Sequence, residues 1–348
     1  MRSRLALLAV LVVVLPALTG CITQPKPSIR PPEGRSLWAY NMTQMLQMND
    51  LGFTGQGVTV GLVDSGIDLS HPAFANLTLR GWVDLVNGNA IPYDDDGHGT
   101  QMAGIIAGSE GGAPGASLLV AKAIGSDGTS SDSLVARAVR WCLDPNGDGN
   151  NTDSADIISL SLGGGRRPIL GTETEKACNE AISWGAYVVA AADNDGESDN
   201  GDVASPASLK HVIAVGAVNS TGIIAPFSSA GRNGGSIFPP MLPRKDPDKK
   251  PELVAPGVDI WCDVPGGGHE FGSGTSHSTA FMSSCLAVIL GALPQYLPRN
   301  NDGETTIVKF KNALMDTALK HDGQAEPHDE HYGYGLVQAH AAYVALGP

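Results

Sequence analysis

Positive charge is in short supply along this 348-residue chain: 22 lysines and arginines face 36 acids, for a formal net charge of −14 at pH 7. A polyanionic partner such as nucleic acid is disfavoured by that balance. Charged residues of either sign reach only 17% and aromatics only 5%, while glycine is frequent at 44. That combination excludes long solvated helices and the usual composition of disorder, and favours tight turns between buried elements. No internal repeat is visible, so a solenoid or propeller is set aside. A second long apolar run is also missing. The single such run, 5–18, is too short to span a bilayer comfortably and follows Arg2 and Arg4, the pattern of an export signal.

That run ends in Leu18-Thr19-Gly20-Cys21, small residues before a cysteine. The ending resembles the lipobox of prokaryotic lipoproteins, which implies cleavage after residue 20, a lipid on Cys21, and a location outside the cytoplasm on a prokaryotic membrane. Removing 1–20 deletes two arginines and no acid, so the remainder is more acidic still. Four cysteines then remain: Cys142, Cys178, Cys262 and Cys285. Outside the cytosol they permit two disulfides in any of three pairings.

The chain is expected to divide into a signal peptide (1–20), a lipidated tether with a leading helix (21–50) and one catalytic domain (51–348). Residues 22–33 hold four prolines and no apolar periodicity, as an extended tether would. The aromatic and Met spacing in 38–48 predicts a helix on the core. Short apolar runs rich in β-branched residues at 58–63, 118–121, 157–160, 187–191 and 212–215 predict strands buried on both faces. Helical patterns between them indicate an α/β fold, a mostly parallel sheet covered by helices on both faces. Residues 232–252, with five prolines and a basic cluster, read as an exposed, solvated loop.

In open parallel sheets ligands gather at the carboxyl ends of strands. Asp64 in VDSGID directly follows the first strand. His98 in DDDGHGTQMAGIIAG stands where the chain turns helical, and Ser276 in SGTSHSTAFMSSCLAVILGAL opens a stretch that is apolar almost all round. A serine hydroxyl needs a base to take its proton, and the base needs a carboxylate to hold its tautomer. Asp, His and Ser in this order differ from α/β-hydrolases, which run Ser, Asp, His around a G-x-S-x-G elbow that GTSHS does not match.

These motifs resemble those of the subtilisin-like serine proteases, and the resemblance covers roughly 51–345. IISLSLGG is similar to the substrate-binding edge strand, AADNDG to the oxyanion block, ELVAPG to the loop before the nucleophile and YGYGLVQAHAA to the closing segment. The resemblance implies a three-layer subtilisin-like fold, an acyl-enzyme on Ser276 with His98 and Asp64, and Asn194 as the amide that donates to the oxyanion. It also implies that the backbone of Ser161, Leu162 and Gly163 pairs with an extended polypeptide substrate. The expected protein is a monomeric, membrane-anchored endopeptidase. Five departures stand out: His277 where relatives commonly have Met, Ala280 where they have Pro, Asp193 where Gly is usual, Gln101 where a second His is usual, and the short stretch between Cys21 and Leu51 where many carry a folding propeptide. They keep open a non-catalytic, calcium-stabilised binding protein on this scaffold. A peptide ligase or cyclase, in which an amine resolves the acyl-enzyme, stays open as well.

One further motif carries metal chemistry. Asp144, Asn146, Asp148 and Asn150 follow the alternating oxygen spacing of a calcium loop, D-x-[DN]-x-[DN]-G. Ala155 stands where the closing Glu of an EF-hand would be, so Asp153 or Asp156 is expected to complete a structural Ca2+ site.

Overall fold

The computed structural model describes residues 34, 36–164, 171–196, 202–235 and 242–347. The apolar run expected to be an export signal, Cys21 and the proline-rich stretch lie outside the described residues. Among those described, no helix is long and apolar enough to cross a membrane.

Seven parallel strands form the central sheet. They are β1 (Thr59–Asp64), β2 (Thr78–Asp84), β3 (Ser117–Lys122), β4 (Ile157–Leu160), β5 (Tyr187–Ala191), β6 (Ile213–Val218) and β7 (Leu253–Pro256), in the order β2-β3-β1-β4-β5-β6-β7. A two-stranded antiparallel hairpin, β8 (Ile260–Val264) and β9 (Gly268–Gly272), stands apart. The helices are α1 (Leu37–Met42), α2 (Met45–Asp50), α3 (His98–Ala107), α4 (Asp132–Leu143), α5 (Glu173–Ser183), α6 (Thr275–Ala292), α7 (Glu304–Asp316) and α8 (Ala339–Leu346). α4 and α5 pack together over one face of the sheet; α3 and α6 pack together over the other. Every residue of β1, β4, β5 and β6 is buried, which is why these segments read as continuous apolar runs without alternation.

The two strands of the central sheet that the sequence did not signal have local causes. β2 is a half-exposed edge strand carrying Arg80 and Gly81, and β7 is four residues long and ends in Pro256. The single helix expected over 38–48 is two short ones. Thr43 turns its hydroxyl back onto Ala39 O (3.0 Å) and Tyr40 O (3.2 Å), and Gln44 takes a left-handed φ of 60°. Ala39, Tyr40, Met45 and Met48 are buried in the same core as the strands, and α2 packs on α6 and α8. The leading helices therefore belong to the same compact unit as the sheet, as expected of a helix packed on the core.

The expectation of a solvated 232–252 loop also needs correction. Residues 245–247 are exposed, but Lys250 and Glu252 are fully buried. Lys250 Nζ donates to Glu252 Oε1 (2.7 Å) and to Val212 O (2.6 Å), and Lys311 Nζ on α7 donates to the same Oε1 (2.7 Å). Glu252 Oε2 accepts from Ala214 N (2.8 Å). A buried acid is tolerated here because two ammonium groups and a backbone amide satisfy it, and removing one partner of such a knot costs about 3–5 kcal/mol. The four cysteines form no disulfide. Cys142, Cys178, Cys262 and Cys285 are free and buried on α4, α5, β8 and α6, and burial pushes each thiol well above its ordinary pKa.

Candidate active site

The carboxyl ends of three adjacent strands deliver polar groups to one crevice, as open parallel sheets do. Asp64 is the last residue of β1, Ser161 follows β4, and Asn194 lies three residues beyond the end of β5. Two helices of the opposite chain direction supply the rest: His98 is the first residue of α3 and Ser276 the second of α6.

Asp64 is fully buried, and its Oδ1 accepts from His98 Nδ1 (2.8 Å) and from Ser65 N (2.7 Å). His98 keeps 29% of its side chain exposed, so the ring is held at one edge and open at the other. Burial works against a charged imidazole here, but the charge and hydrogen bond of Asp64, followed by the charges of Asp96 and Asp94, outweigh it and raise the His98 pKa above 6.5. Close packing of this pair depends on Gly99, since a Cβ there would run into the backbone of Gly66.

Helix α6 is anchored from beneath. Ser278 Oγ donates to Ala255 O (3.0 Å) at the end of β7, and a Cβ on Gly257 would strike that hydroxyl. Ser276 is half-buried; its Oγ donates to Ser161 O (3.0 Å) and Ser161 Oγ donates back to Ser276 O (3.1 Å). Asn194 is exposed, and its Oδ1 accepts from Thr275 N (2.8 Å) and Thr275 Oγ1 (3.1 Å), immediately before Ser276. A carboxamide anchored through its oxygen presents its NH2 group as donor. The structure thus joins Asp64 to His98, Ser161 to Ser276, and Asn194 to the residue preceding Ser276. Leu162 and Gly163 line a cleft of about 320 Å3 together with Gly128, Ser130 and Val135.

The departures noted in the sequence find definite places. Asp193 has φ 96°, a conformation glycine adopts freely and an L-residue at a cost of about 1–2 kcal/mol. Its Oδ1 accepts from Asn194 N (2.8 Å), so the acid is turned onto the neighbouring amide. Gln101 Nε2 donates to Glu270 Oε1 (2.7 Å) on β9. His277 is buried with neither ring nitrogen hydrogen-bonded; burial, then the charge of His98, push its pKa down to about 3, so it stays neutral. Ala280 is buried within α6.

Sequence reasoning overlooked Ser65 and Lys122, which frame the Asp64–His98 pair. Lys122 Nζ, fully buried at the end of β3, donates to Ser65 O (2.6 Å), Ile124 O (2.9 Å) and Asp95 Oδ1 (2.5 Å). The signal was the Asp94-Asp95-Asp96 run itself, which places more acids before His98 than a turn requires.

Away from this crevice, the ligand atoms of Asp144, Asp148 and Asp153 lie within 4.8 Å of one another at the end of α4. Asp144 Oδ1 accepts from Asp148 N (3.0 Å), Asn146 Nδ2 donates to Asp148 Oδ2 (3.0 Å), and Asn150 Oδ1 accepts from Thr152 N (2.9 Å). Asp156 does not join them. Its Oδ2 accepts from Thr59 N (2.8 Å) and its Oδ1 faces Arg299 (3.3 Å), because it is the residue that leads into β4 alongside β1. Its burial, against those two partners, raises its pKa to about 6.

The comparisons with known proteins agree with this architecture. Residues 55–335 match the model of the subtilase family, Peptidase_S8. The chain is 33% identical over 303 residues to subtilisin E of Bacillus subtilis (strain 168), covering 85% of this chain and 68% of that protein. A subtilisin of Bacillus pumilus is equally similar, with 94% of its length covered. Subtilisin BL of Lederbergia lenta is 31% identical over 311 residues, covering 88% of this chain and 97% of that one. A parallel sheet of this order, a histidine opening one helix and a serine opening another above its carboxyl edge, and these similarities together make the chain a member of the subtilase family of serine proteases.

Proposed function

We propose that the protein is an extracytoplasmic, lipid-anchored serine endopeptidase that cleaves extended polypeptides through an acyl-enzyme on Ser276. The observation that carries this reading is the 2.8 Å hydrogen bond between His98 Nδ1 and Asp64 Oδ1. With Nδ1–H donating to a buried carboxylate, the lone pair of the neutral ring lies on Nε2, the nitrogen that serves as base. The Ser276 hydroxyl turns from Ser161 O to His98 Nε2, gives up its proton and bonds to the scissile carbonyl carbon. The oxyanion that forms accepts from Asn194 Nδ2 and from Ser276 N. Collapse breaks the C–N bond as His98 returns the proton to the leaving amine, and water repeats the sequence on the ester. Release of Ser161 O from the hydroxyl leaves that carbonyl, with the backbone through Gly163, to pair with substrate as an added strand.

Two features of the location and stability of the enzyme extend this reading. The apolar run after Arg2 and Arg4 supplies the export signal and Cys21 the anchor: the wild type should partition into detergent on phase separation and Cys21→Ser should not. Recovery of unlipidated wild type in the aqueous phase would end the tether proposal.

Asp144, Asn146, Asp148, Asn150 and Asp153 fit a hard divalent cation such as Ca2+. All five offer oxygen, and Asp153 Oδ1 is buried without a hydrogen-bond partner, an arrangement that costs free energy unless a cation compensates it. When bound, the ion screens the mutual repulsion of the three carboxylates and pins the end of α4. Because it binds only the folded state, saturating calcium should raise the melting temperature, by about 2.7 kcal/mol of stability at a hundredfold excess over Kd. Identical melting curves in calcium and in chelator would show the loop to be an ordinary turn.

A further inference from the structure

The first turn of an α-helix leaves its backbone N–H groups without intrahelical partners. In α3 these groups surround His98, and side chains from outside the helix claim all of them from 97 to 100. Asp94 Oδ1 accepts from Gly97 N (2.9 Å), Asp96 Oδ1 from His98 N (3.1 Å), Ser65 Oγ from Gly99 N (2.8 Å) and Asp94 Oδ2 from Thr100 N (2.8 Å). The two outer contacts come from one carboxylate, which therefore straddles His98. The third comes from the residue next to Asp64. Ser65 Oγ closes the circuit by donating to Asp94 Oδ1 (2.9 Å). Asp95 turns the other way, to the buried ammonium of Lys122, which also holds Ser65 O.

We infer that Asp94, acting through Ser65, is a positioning residue that sets the register between the end of β1 and the start of α3, and with it the pairing of Asp64 with His98. The inference rests on the serine-protease reading above. Asp64 ends β1 and His98 starts α3, two separate elements that meet where Gly99 packs on Gly66 and Asp68 N donates to Thr100 Oγ1 (3.1 Å). The Ser65 hydroxyl reaches from outside the helix to both the first turn of α3 and the carboxylate capping it, while Thr100 Oγ1, within that turn, donates to the other oxygen of the same carboxylate (2.6 Å). Buried hydrogen-bonded networks of this kind hold one geometry. Displacing a base by an ångström costs about 100-fold in rate, so the clamp has catalytic consequences without touching substrate.

A cap that merely stabilises the helix would change melting and nothing else, so the test reads catalysis and the His98 ring. Ser65→Ala removes both bonds of the hydroxyl while leaving Asp94 on Gly97 and Thr100, and Asp94→Asn puts a donor where an acceptor is needed. Both full-length variants should lose about 10- to 100-fold in kcat on a peptide amide, with KM within about twofold. The charged or titratable groups around His98 are Asp64 from β1, Asp94 and Asp96 from the preceding turn, and His277 from α6, which is neutral. Ser65→Ala alters none of these charges. A downward shift of the His98 ring titration, followed by NMR, and of the acid limb of kcat/KM in that variant therefore reports a loosened Asp64 contact. Wild-type kcat and an unmoved His98 titration in Ser65→Ala would overturn the clamp whatever happens to the melting temperature, and the same outcome in Asp94→Asn would overturn it if Ser65→Ala does not fold. If the wild type neither cleaves peptides nor labels at Ser276, the protease reading fails instead, and the His98 titration still decides whether the clamp exists.

Discussion

Replacing Ser276 with alanine is expected to lower kcat on a peptide amide by about a millionfold, with His98→Ala close to it, as for the corresponding groups of subtilisin, and Asp64→Asn by about ten-thousandfold, as for the same change in the Ser-His-Asp triad of a trypsin-like protease. The reason is visible in the site. Asp64 is fully buried with its Oδ1 on His98 Nδ1, so Asp64→Asn presents an amide NH2 or a poorer acceptor to that nitrogen and leaves the ring in the wrong tautomer. No neighbouring group can replace the base: His277 follows Ser276 directly, but its ring is buried and points its Nε2 toward Gly272. The double and triple variants should lose little more than the worst single one, because the three groups act on one proton transfer. A fluorophosphonate probe should label the wild type and fail on Ser276→Ala. The raised pKa of His98 adds a sign: the ring is protonated and inactive below its pKa, so kcat/KM should fall as pH drops through a value above 6.5 and be restored above it. Independent, multiplying losses among the single variants, or labelling that survives Ser276→Ala, would remove the triad.

Asn194→Ala should reduce kcat by about 100- to 1000-fold with little change in KM, the range known for this kind of donor in subtilisin. The structure shows how the side chain is held. Asn194 Oδ1 is fixed by two donors of Thr275, its backbone and its hydroxyl, so the side chain cannot flip without losing both. In the proposed role, the NH2 end is held before substrate arrives, and a preorganised donor acts on charge that develops only in the transition state. Asn194→Asp separates anchoring from donation: it retains an acceptor for Thr275 but offers no N–H and adds a negative charge. It should be at least as slow as Asn194→Ala. Steady-state kinetics on one peptide substrate decides the matter. A rise in KM at constant kcat, or an Asn194→Asp enzyme near wild-type rate, would show that the amide serves substrate binding and not the oxyanion.

Much of the architecture was legible before any coordinates. Strands β1, β4, β5 and β6 are buried on both faces, so each had to be an apolar, β-branched run, and such runs reveal themselves without alternation. Helix α6 is buried nearly all round and read as such. Asp64, His98 and Ser276 stood out because each lies at an element boundary, where local glycines and the change of periodicity mark the strand end or helix start. What escaped notice had weak local signals. β2 is an edge strand with a mixed face, β7 is four residues long, and the break between α1 and α2 comes from a threonine hydroxyl returning to its own helix.

By its own chemistry, then, the order of residues determined the alternation of strands and helices and the crevice edge where acid, base and nucleophile would lie. Tertiary structure alone decided the partners of groups that no local pattern distinguishes. Asp156 left the cluster of Asp144, Asp148 and Asp153 for Thr59 N because it enters β4 beside β1, whereas Asp153 stayed. Lys250 and Lys311 went into the core because Glu252 was there to receive them, and four cysteines remained thiols on four separate elements. Asp94, Asp95 and Asp96, three identical side chains in a row, were sent to three different partners. Burial and backbone packing fix an element from within its own segment; a polar side chain finds its role only when folding brings a distant donor within about 3 Å of it.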